Sequence, residues 1–259
     1  MTIPSVDCSH DVLFAYVGNQ SKINRVPLTF HHAFAKMKQL TIEMPDDGIL
    51  YQSNCQIEVQ KVEFINTSTK GDIKVNANGI ASYDNVDLTK TLQENLTPTV
   101  TVNKNNTTGT LINNSNDASK GYFFATNTEE VNYVIGTGKN MWNGTKEWTE
   151  SESGSITLEN YGEVCLKLTC KVWNGTDDNK YYYVGGDGDN YGEVYIPLKG
   201  THSNNNDVES FDAGKRYTYK IVMKDNVGYT DEGNPILTPI LFSVASVDVW
   251  GEVTVTITL

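Results

Sequence analysis

Alternation of apolar and polar residues at period two recurs along the chain, the spacing of a strand with one buried face. It is cleanest at the end, where Val253, Val255, Ile257 and Leu259 alternate with Thr254, Thr256 and Thr258. Tyr217, Tyr219, Ile221 and Met223 share one face of a second such strand. Val12 to Val17 is a short apolar run closed by Gly18-Asn19, and Glu163 to Val172 reads as one strand. In Ile57 to Ile65 the apolar positions are 57, 59, 62 and 64. That slip of one residue near Lys61 predicts a β-bulge. Phe30 to Met37 fits either helix or strand, and Thr89 to Asn95 fits a turn or two of helix. Asn143-Gly144 and Asn174-Gly175 each sit in a Trp-Asn-Gly-Thr quartet and predict type I′ hairpin turns, whose central residues need positive φ. Residues 103–116 and Asn204-Asn205-Asn206 predict polar surface loops. The expected chain is mainly β.

Composition agrees with this pattern. The 259 residues hold 27 Asn and 28 Thr, types that favour turns and strands respectively. The length suits one large β domain or two smaller ones. With 20 bases against 32 acids the net charge is -12, which argues against a nucleic-acid partner, because phosphate binding needs clustered Lys and Arg. Charge is also uneven. Residues 12–42 hold four bases and no acid, whereas residues 121–215 carry a net -8. The longest apolar runs are about six residues, far short of the roughly twenty a membrane helix needs. The first residues lack a basic and apolar leader pattern, so no export signal is expected in this chain.

Candidate chemistry is sparse. Cys8, Cys55, Cys165 and Cys170 allow three full pairings, but the odd spacing of Cys165 and Cys170 puts them on opposite faces of one strand. All four are expected as structural thiols. His31 and His32 likewise point to opposite faces and cannot easily share a metal. No nucleophile elbow and no phosphate-cradling glycine loop occurs, so no catalytic residue and no cofactor is expected. The one cation candidate is Asp187, Asp189 and Asn190, hard oxygen ligands in a glycine-rich loop of the kind Ca²⁺ takes. An EF-hand fails at Tyr191 and Leu198. The simpler alternative is a polar hairpin loop joining Tyr181–Val184 to Tyr191–Ile196. Trp142, Trp148 and Trp173 are candidate sugar-stacking rings, or else core and hairpin packing.

Two separated stretches resemble one family. The first is Arg25-Val26-Pro27-Leu28-Thr29-Phe30-His31-His32-Ala33-Phe34-Ala35-Lys36-Met37, running on to Leu40-Thr41-Ile42-Glu43-Met44 and preceded by Asp11-Val12-Leu13-Phe14-Ala15. The second is Phe211-Asp212-Ala213-Gly214-Lys215-Arg216-Tyr217-Thr218-Tyr219-Lys220-Ile221, followed by Gly228-Tyr229, Pro235-Ile236, Phe242 and Val249-Trp250. In this order they resemble the Bacteroidales-type fimbrillins, cell-surface pilus subunits. The resemblance implies an all-β, Greek-key-like β-sandwich of transthyretin-like pilin architecture with few short helices. It implies terminal strands of an incomplete N-terminal β domain over residues 1–50 and a C-terminal β-sandwich domain over residues 51–259. It implies export to the cell surface or outer membrane as a lipoprotein, and assembly with other fimbrial subunits by strand addition. Val253, Val255, Ile257 and Leu259 have the alternation of a donor strand and equally that of an ordinary last strand. A host protein or glycan receptor is the further partner implied. The expected function is therefore a non-enzymatic fimbrial subunit or adhesion protein, and the alternative is a surface carbohydrate-binding β-sandwich module.

Overall fold

The computed structural model describes residues 2–7, 12–15, 17, 28–65, 70–75, 81–87, 92–114, 122–124, 165–176, 179–198, 200–201, 207–208, 214–230, 235–237, 241–248 and 252–258. In chain order the strands begin with β1 (Thr2–Asp7), β2 (Leu13–Ala15), β3 (Phe30–His32) and β4 (Ala35–Glu43). After a single helical turn α1 (Ile49–Gln52) come β5 (Gln56–Ile65), β6 (Lys70–Val75), β7 (Ala81–Asp87), β8 (Leu92–Val102), β9 (Thr108–Asn113) and β10 (Tyr122–Phe124). Then follow β11 (Cys165–Thr176), β12 (Asn179–Val184), β13 (Gly192–Pro197), β14 (Gly200–Thr201) and β15 (Asp207–Val208). The last are β16 (Arg216–Val222), β17 (Asn226–Tyr229), β18 (Pro235–Leu237), β19 (Leu241–Asp248) and β20 (Glu252–Thr258).

Two large sheets face each other, so the chain is an all-β sandwich, as alternation and resemblance imply. One sheet centres on β4, β16 and β20; the other runs β18-β17-β13-β11-β5-β8, with β12 also on β11. Met37, Leu40, Ile42, Tyr217, Tyr219 and Ile221 from the first meet Ile57, Val59, Phe64, Leu166, Leu168 and Val194 from the second in one core. Polar residues alternate outward, which is the pattern of two packed sheets. The ribbon β2–β3 and the three-stranded β1-β6-β7 are separate small sheets.

The centre of the first sheet is parallel. β16 runs parallel to β4 on one side (Arg216↔Lys36 to Val222↔Glu43) and to β20 on the other (Arg216↔Glu252 to Val222↔Thr258). The expected boundary after residue 50 therefore cuts through this sandwich. β4 belongs to its core, because Met37, Leu40 and Ile42 are fully buried there.

β4 is strand from Ala35 on, and it carries a bulge just after Phe30–Met37, the stretch that fits either helix or strand. Tyr217 faces Met37 while Thr218 faces Gln39, so Lys38 is an extra residue on β4. The bulge puts Met37 and Leu40, three apart, on the same inner face, which imitates helical spacing. At this point β9, paired to Gln39–Glu43, hands over to β10, paired to Ala35–Met37. Asn114 closes the gap: its backbone N–H donates to the Lys38 carbonyl at 2.7 Å and its Nδ2 to that of Met37 at 3.3 Å. The freed backbone groups are thus satisfied locally.

The bulge expected near Lys61 is present. Thr169 pairs with Lys61 and Cys170 with Val59, leaving Gln60 as the extra residue. Cys170 joins the core between the sheets, whereas Cys165 packs with Ile65, Tyr195 and Tyr229 in a separate cluster, as their odd spacing requires. Cys55, Cys165 and Cys170 are buried free thiols, and burial pushes Cys55 up to about 11 and Cys170 up to about 12. Cys8 lies outside the described residues.

Three local expectations are corrected. Leu92–Asn95 is strand, because it pairs with Lys61–Phe64 of β5. Among the described residues of the expected loop 103–116, Asn103–Asn106 is a turn, whereas Thr108–Asn113 is β9, carrying buried Leu111 and Ile112. Asn174-Gly175 is not the hairpin turn. Gly175 does have φ +96°, but Asn174 pairs with Tyr181, Gly175 with Lys180 and Thr176 with Asn179. The reversal falls beyond Thr176. The register is set upstream, where Trp173 opposite Tyr182 keeps both rings on one face.

Candidate functional site

The outer face of the second sheet carries most of the described polar side chains that sequence reasoning singled out. Across β5, β11 and their neighbours the outward residues form rows. Glu63, Lys167 and Tyr195 make one row, and Lys61, Thr169 and Glu193 the next. Past the Gln60 bulge come Glu58 with Lys171, then Gln56, Trp173 and Tyr182. Charges alternate between rows. Lys167 reaches Glu63 at 3.1 Å and Glu193 at 3.2 Å, Lys61 reaches Glu63 at 3.0 Å, and the Tyr195 hydroxyl donates to Glu193 at 2.9 Å. Burial lowers the Lys167 pKa, but Glu63 and Glu193 outweigh it and leave the ammonium above its ordinary value. Each charge is compensated by a neighbour, so this part of the face is a knitted surface without an activated group.

The Lys171 row differs. β12 and β13 both run antiparallel to β11 along the same edge, β12 beside Val172–Thr176 and β13 beside Cys165–Cys170. They are one interrupted strand, so residues 185–191 do not form the expected hairpin loop. They form a seven-residue excursion that leaves and rejoins the same edge opposite Lys171. Its neck is tight. A Cβ on Gly185, where φ is +73°, would stand 2.6 Å from the Asn190 carbonyl oxygen, and one on Gly192 would stand 2.8 Å from the Gly185 nitrogen. Only glycine closes this neck.

Lys171 holds the excursion down. Its Nζ donates to the Gly188 carbonyl, lies 3.7 Å from Glu58 and sits 4.2 Å above the Tyr191 ring. The Tyr191 hydroxyl donates to Glu58, and the Tyr182 hydroxyl donates to Asp187 at 2.9 Å. Asp187, Asp189 and Asn190, the cation candidates, thus sit together in a loop whose Gly188 carbonyl already faces an ammonium. Among the described residues no group of three or more His, Cys, Asp or Glu is placed to hold a metal.

Glu58 as hydrogen-bond acceptor, then burial, hold the Tyr191 phenol up to about 12 against an ordinary 10.0. The folded-state pKa is raised, so this contact stabilises fully below pH ~10 and is lost as pH rises through ~12. Tyr191→Phe is expected to flatten stability across that window, read by urea unfolding at stepped pH. Glu58→Gln should bring the phenol's ultraviolet titration back toward 10.

Of the three tryptophans only Trp173 is described; Trp142 and Trp148 lie outside the described residues. Trp173 is 7% exposed, covered by Tyr182 (ring centroids 5.9 Å) and by the Lys180 ammonium 5.5 Å from its ring. Its Nε1 is buried without a hydrogen-bond partner. It therefore packs the hairpin and offers no open ring to a sugar. An unpaired buried N–H costs about 1–3 kcal/mol, so Trp173→Phe is expected to be neutral or mildly stabilising, measured by thermal unfolding. A loss of several kcal/mol would mean that the indole N–H is satisfied.

Val253, Val255 and Ile257 lie on β20, whose backbone pairs with β16 and β19. Leu259 lies outside the described residues. In this conformation the donor candidate is engaged in its own sheet. β8 is one end of the other sheet: among the described residues it pairs only with β5. That edge is broken in the middle, because Val59 faces Val100 while Lys61 faces Asn95, and the extra residues include Pro98. A bulge and a proline are ordinary protections of an edge strand. Sequence reasoning missed β8, Lys171 and Glu58; the alternation Lys167, Thr169, Lys171, Trp173 was the available signal for a polar outer row.

No family model matches the sequence, and no curated protein matches it. Among solved structures, a crystal structure of a fimbrial protein from Bacteroides vulgatus is similar over 89% of this chain and 54% of its own, at 10% identity and a TM-score of 0.37. The chain spans about half the length of that protein. Among the described residues no helix is long and apolar enough to cross a membrane.

Proposed function

We propose that the chain is a non-enzymatic cell-surface fimbrial subunit or fimbrillin-like adhesion protein that assembles by strand addition. One observation carries this reading. The two stretches that resemble fimbrillins, roughly 180 residues apart in sequence, are neighbouring parallel strands, β4 and β16. Tyr217 and Tyr219 of the second stretch pack in the core beside Met37 and Leu40 of the first. The motif pair thus supports a common sandwich, which two chance matches would not.

The edge of β8 supports the mode of assembly. Among the described residues β8 pairs with no strand but β5, and at such an edge an extended partner segment can add as a further strand, with alternate side chains giving specificity. The pairing of β20 on β16 favours an ordinary last strand over a free donor, so the donor is assigned to another subunit. Assembly on a surface appendage requires export, which the reading takes from the resemblance. The carbohydrate-binding alternative loses its best described residue, because the Trp173 ring is covered.

The test is limited proteolysis of the purified chain, followed by electrophoresis of unheated samples in SDS. The proposal expects ladders that survive SDS and vanish on boiling, and expects Asn95→Pro in β8 to reduce them. A chain that stays monomeric throughout and binds a glycan array tightly would overturn it in favour of the carbohydrate module.

A further inference from the structure

Asn174-Gly175 makes no turn and lies inside the β11–β12 ladder, Asn174 opposite Tyr181 and Gly175 opposite Lys180. Both residues are half-exposed. Among the described residues this is the one Asn followed directly by Gly. The pair has a chemistry of its own. The backbone nitrogen after an Asn can close a five-membered ring on the side-chain Cγ, and a glycine nitrogen is the least hindered, because no Cβ crowds it.

The fold itself imposes this glycine. Gly175 has φ +96°, and a Cβ there would stand 2.1 Å from the Asn179 carbonyl oxygen. No side chain fits at that approach, so the close pairing of the two strand ends brings a reactive pair with it.

The same hairpin keeps the reacting atoms apart. The Asn174 Nδ2 donates to the Tyr183 hydroxyl at 3.0 Å. Tyr183 is half-buried against the core and meets the Tyr181 ring edge-on, with centroids 5.1 Å apart. Pairing with Tyr181 holds Asn174 in the ladder, where extended backbone turns the next peptide nitrogen away from the side chain. Ring closure therefore needs two releases. The amide must leave Tyr183, and the peptide plane between Asn174 and Gly175 must rotate out of the ladder.

We propose that Asn174 is a site of spontaneous intramolecular deamidation, held closed in the native hairpin by Tyr183 and the ladder, and opened when the ends of β11 and β12 unpair. The Gly175 nitrogen gives its proton to hydroxide and attacks the Asn174 Cγ. The N–Cγ bond forms, the Cγ–Nδ2 bond breaks, and Nδ2 takes a proton from water and leaves as ammonia. Water then opens the cyclic imide at either carbonyl, giving an aspartyl or an isoaspartyl linkage. Nothing is oxidised or reduced, and water and hydroxide are the co-reactants. The isoaspartyl product matters most, because it routes the main chain through Cβ and adds one carbon to it. Gly175 opposite Lys180 and Thr176 opposite Asn179 then lose their register. An opening of the hairpin is thereby recorded irreversibly.

Peptide mapping by mass spectrometry tests this on the full chain, incubated at mildly alkaline pH in buffer and in concentrated urea. Conversion at Asn174 is expected to be at least ~10-fold slower in buffer, because the native chain reacts only through its open fraction. Tyr183→Phe keeps the ring and removes the hydroxyl. It is expected to raise the rate in buffer at least ~3-fold and to leave the rate in urea unchanged. Hydrogen exchange of the same variant separates local from global opening: Val59 to Phe64 of β5 should keep wild-type protection. Equal rates in buffer and urea overturn the proposal, as does an Asn174 that stays intact in urea. So does a Tyr183→Phe chain that converts at the wild-type rate in buffer, or one whose faster conversion is matched by an equal loss of protection in β5.

Discussion

A chain that begins at Pro45 is expected not to fold. β4 lies inside the first sheet, with β16 on one side and β9 and β10 on the other. Its loss removes Met37, Leu40 and Ile42, all fully buried, together with Met44 just beyond the strand. At about 1.5–3 kcal/mol per buried side chain these four alone supply roughly 6–12 kcal/mol. The whole net stability of a domain is only about 5–15 kcal/mol. Deletion also uncovers the backbone edge of β16 and the faces of Tyr217, Tyr219 and Ile221, which invites aggregation. The check is a thermal scan by circular dichroism, in which the truncated chain should show no cooperative transition. An unchanged melt would restore a boundary near residue 50.

The second large effect is expected at Gly109. β8 belongs to one sheet and β9 to the other, and the chain passes between them through the tight turn at Asn103–Asn106. The sandwich is pinched at this passage. A Cβ on Gly109 would stand 2.4 Å from Val100 Cγ1, 3.0 Å from Val102 Cγ2 and 3.2 Å from Ile42 Cγ2. Those atoms come from both sheets, so relief requires the layers to part. Gly109→Val is expected to cost about 3 kcal/mol, at the upper end for overpacking, and Gly109→Ala about half that. Urea unfolding should show a lower midpoint at an unchanged slope. A neutral Gly109→Val would mean that the layers are not packed at this edge.

What was legible in the sequence was the face each residue takes within its own strand. The missing beat at Gln60, the opposite faces of Cys165 and Cys170, and a last strand at Glu252–Thr258 all reappear in the fold. Each follows from local pleat geometry and needs no knowledge of a partner. Partnership was not legible. Nothing in β4 or β16 alone announces that they lie side by side in parallel, and Phe30–Met37, which fits either helix or strand, holds β3, a bend at Ala33-Phe34 and the start of β4. Asn174-Gly175 looks like a turn and Gly175 has a positive φ, yet the register that Trp173 and Tyr182 impose keeps both residues paired within the ladder. Thr108–Asn113 looked like loop because only Leu111 and Ile112 mark its inner face.

The candidate site followed the same division. That residues 185–191 form a polar, glycine-necked loop could be read from composition. That the loop interrupts a single edge strand, and that Lys171 holds it, depends on β12 and β13 sharing the edge of β11. Trp173 could be read as a sugar-stacking ring or as core and hairpin packing, and the cover that bears on the choice comes from Tyr182 and Lys180 on the next strand. For the proposed function the informative residues are those that join the two ends of the sequence, and the polar network on the outer face stabilises the scaffold that holds them.

Native-state hydrogen exchange tests the single sandwich most directly. The backbone amides of Lys36 to Glu43 that bond within the sheet should exchange only through global unfolding, with the same free energy as those of Val59 to Phe64 and Leu166 to Val172. Early exchange of residues 36–43, while β5 and β11 stay protected, would contradict the account.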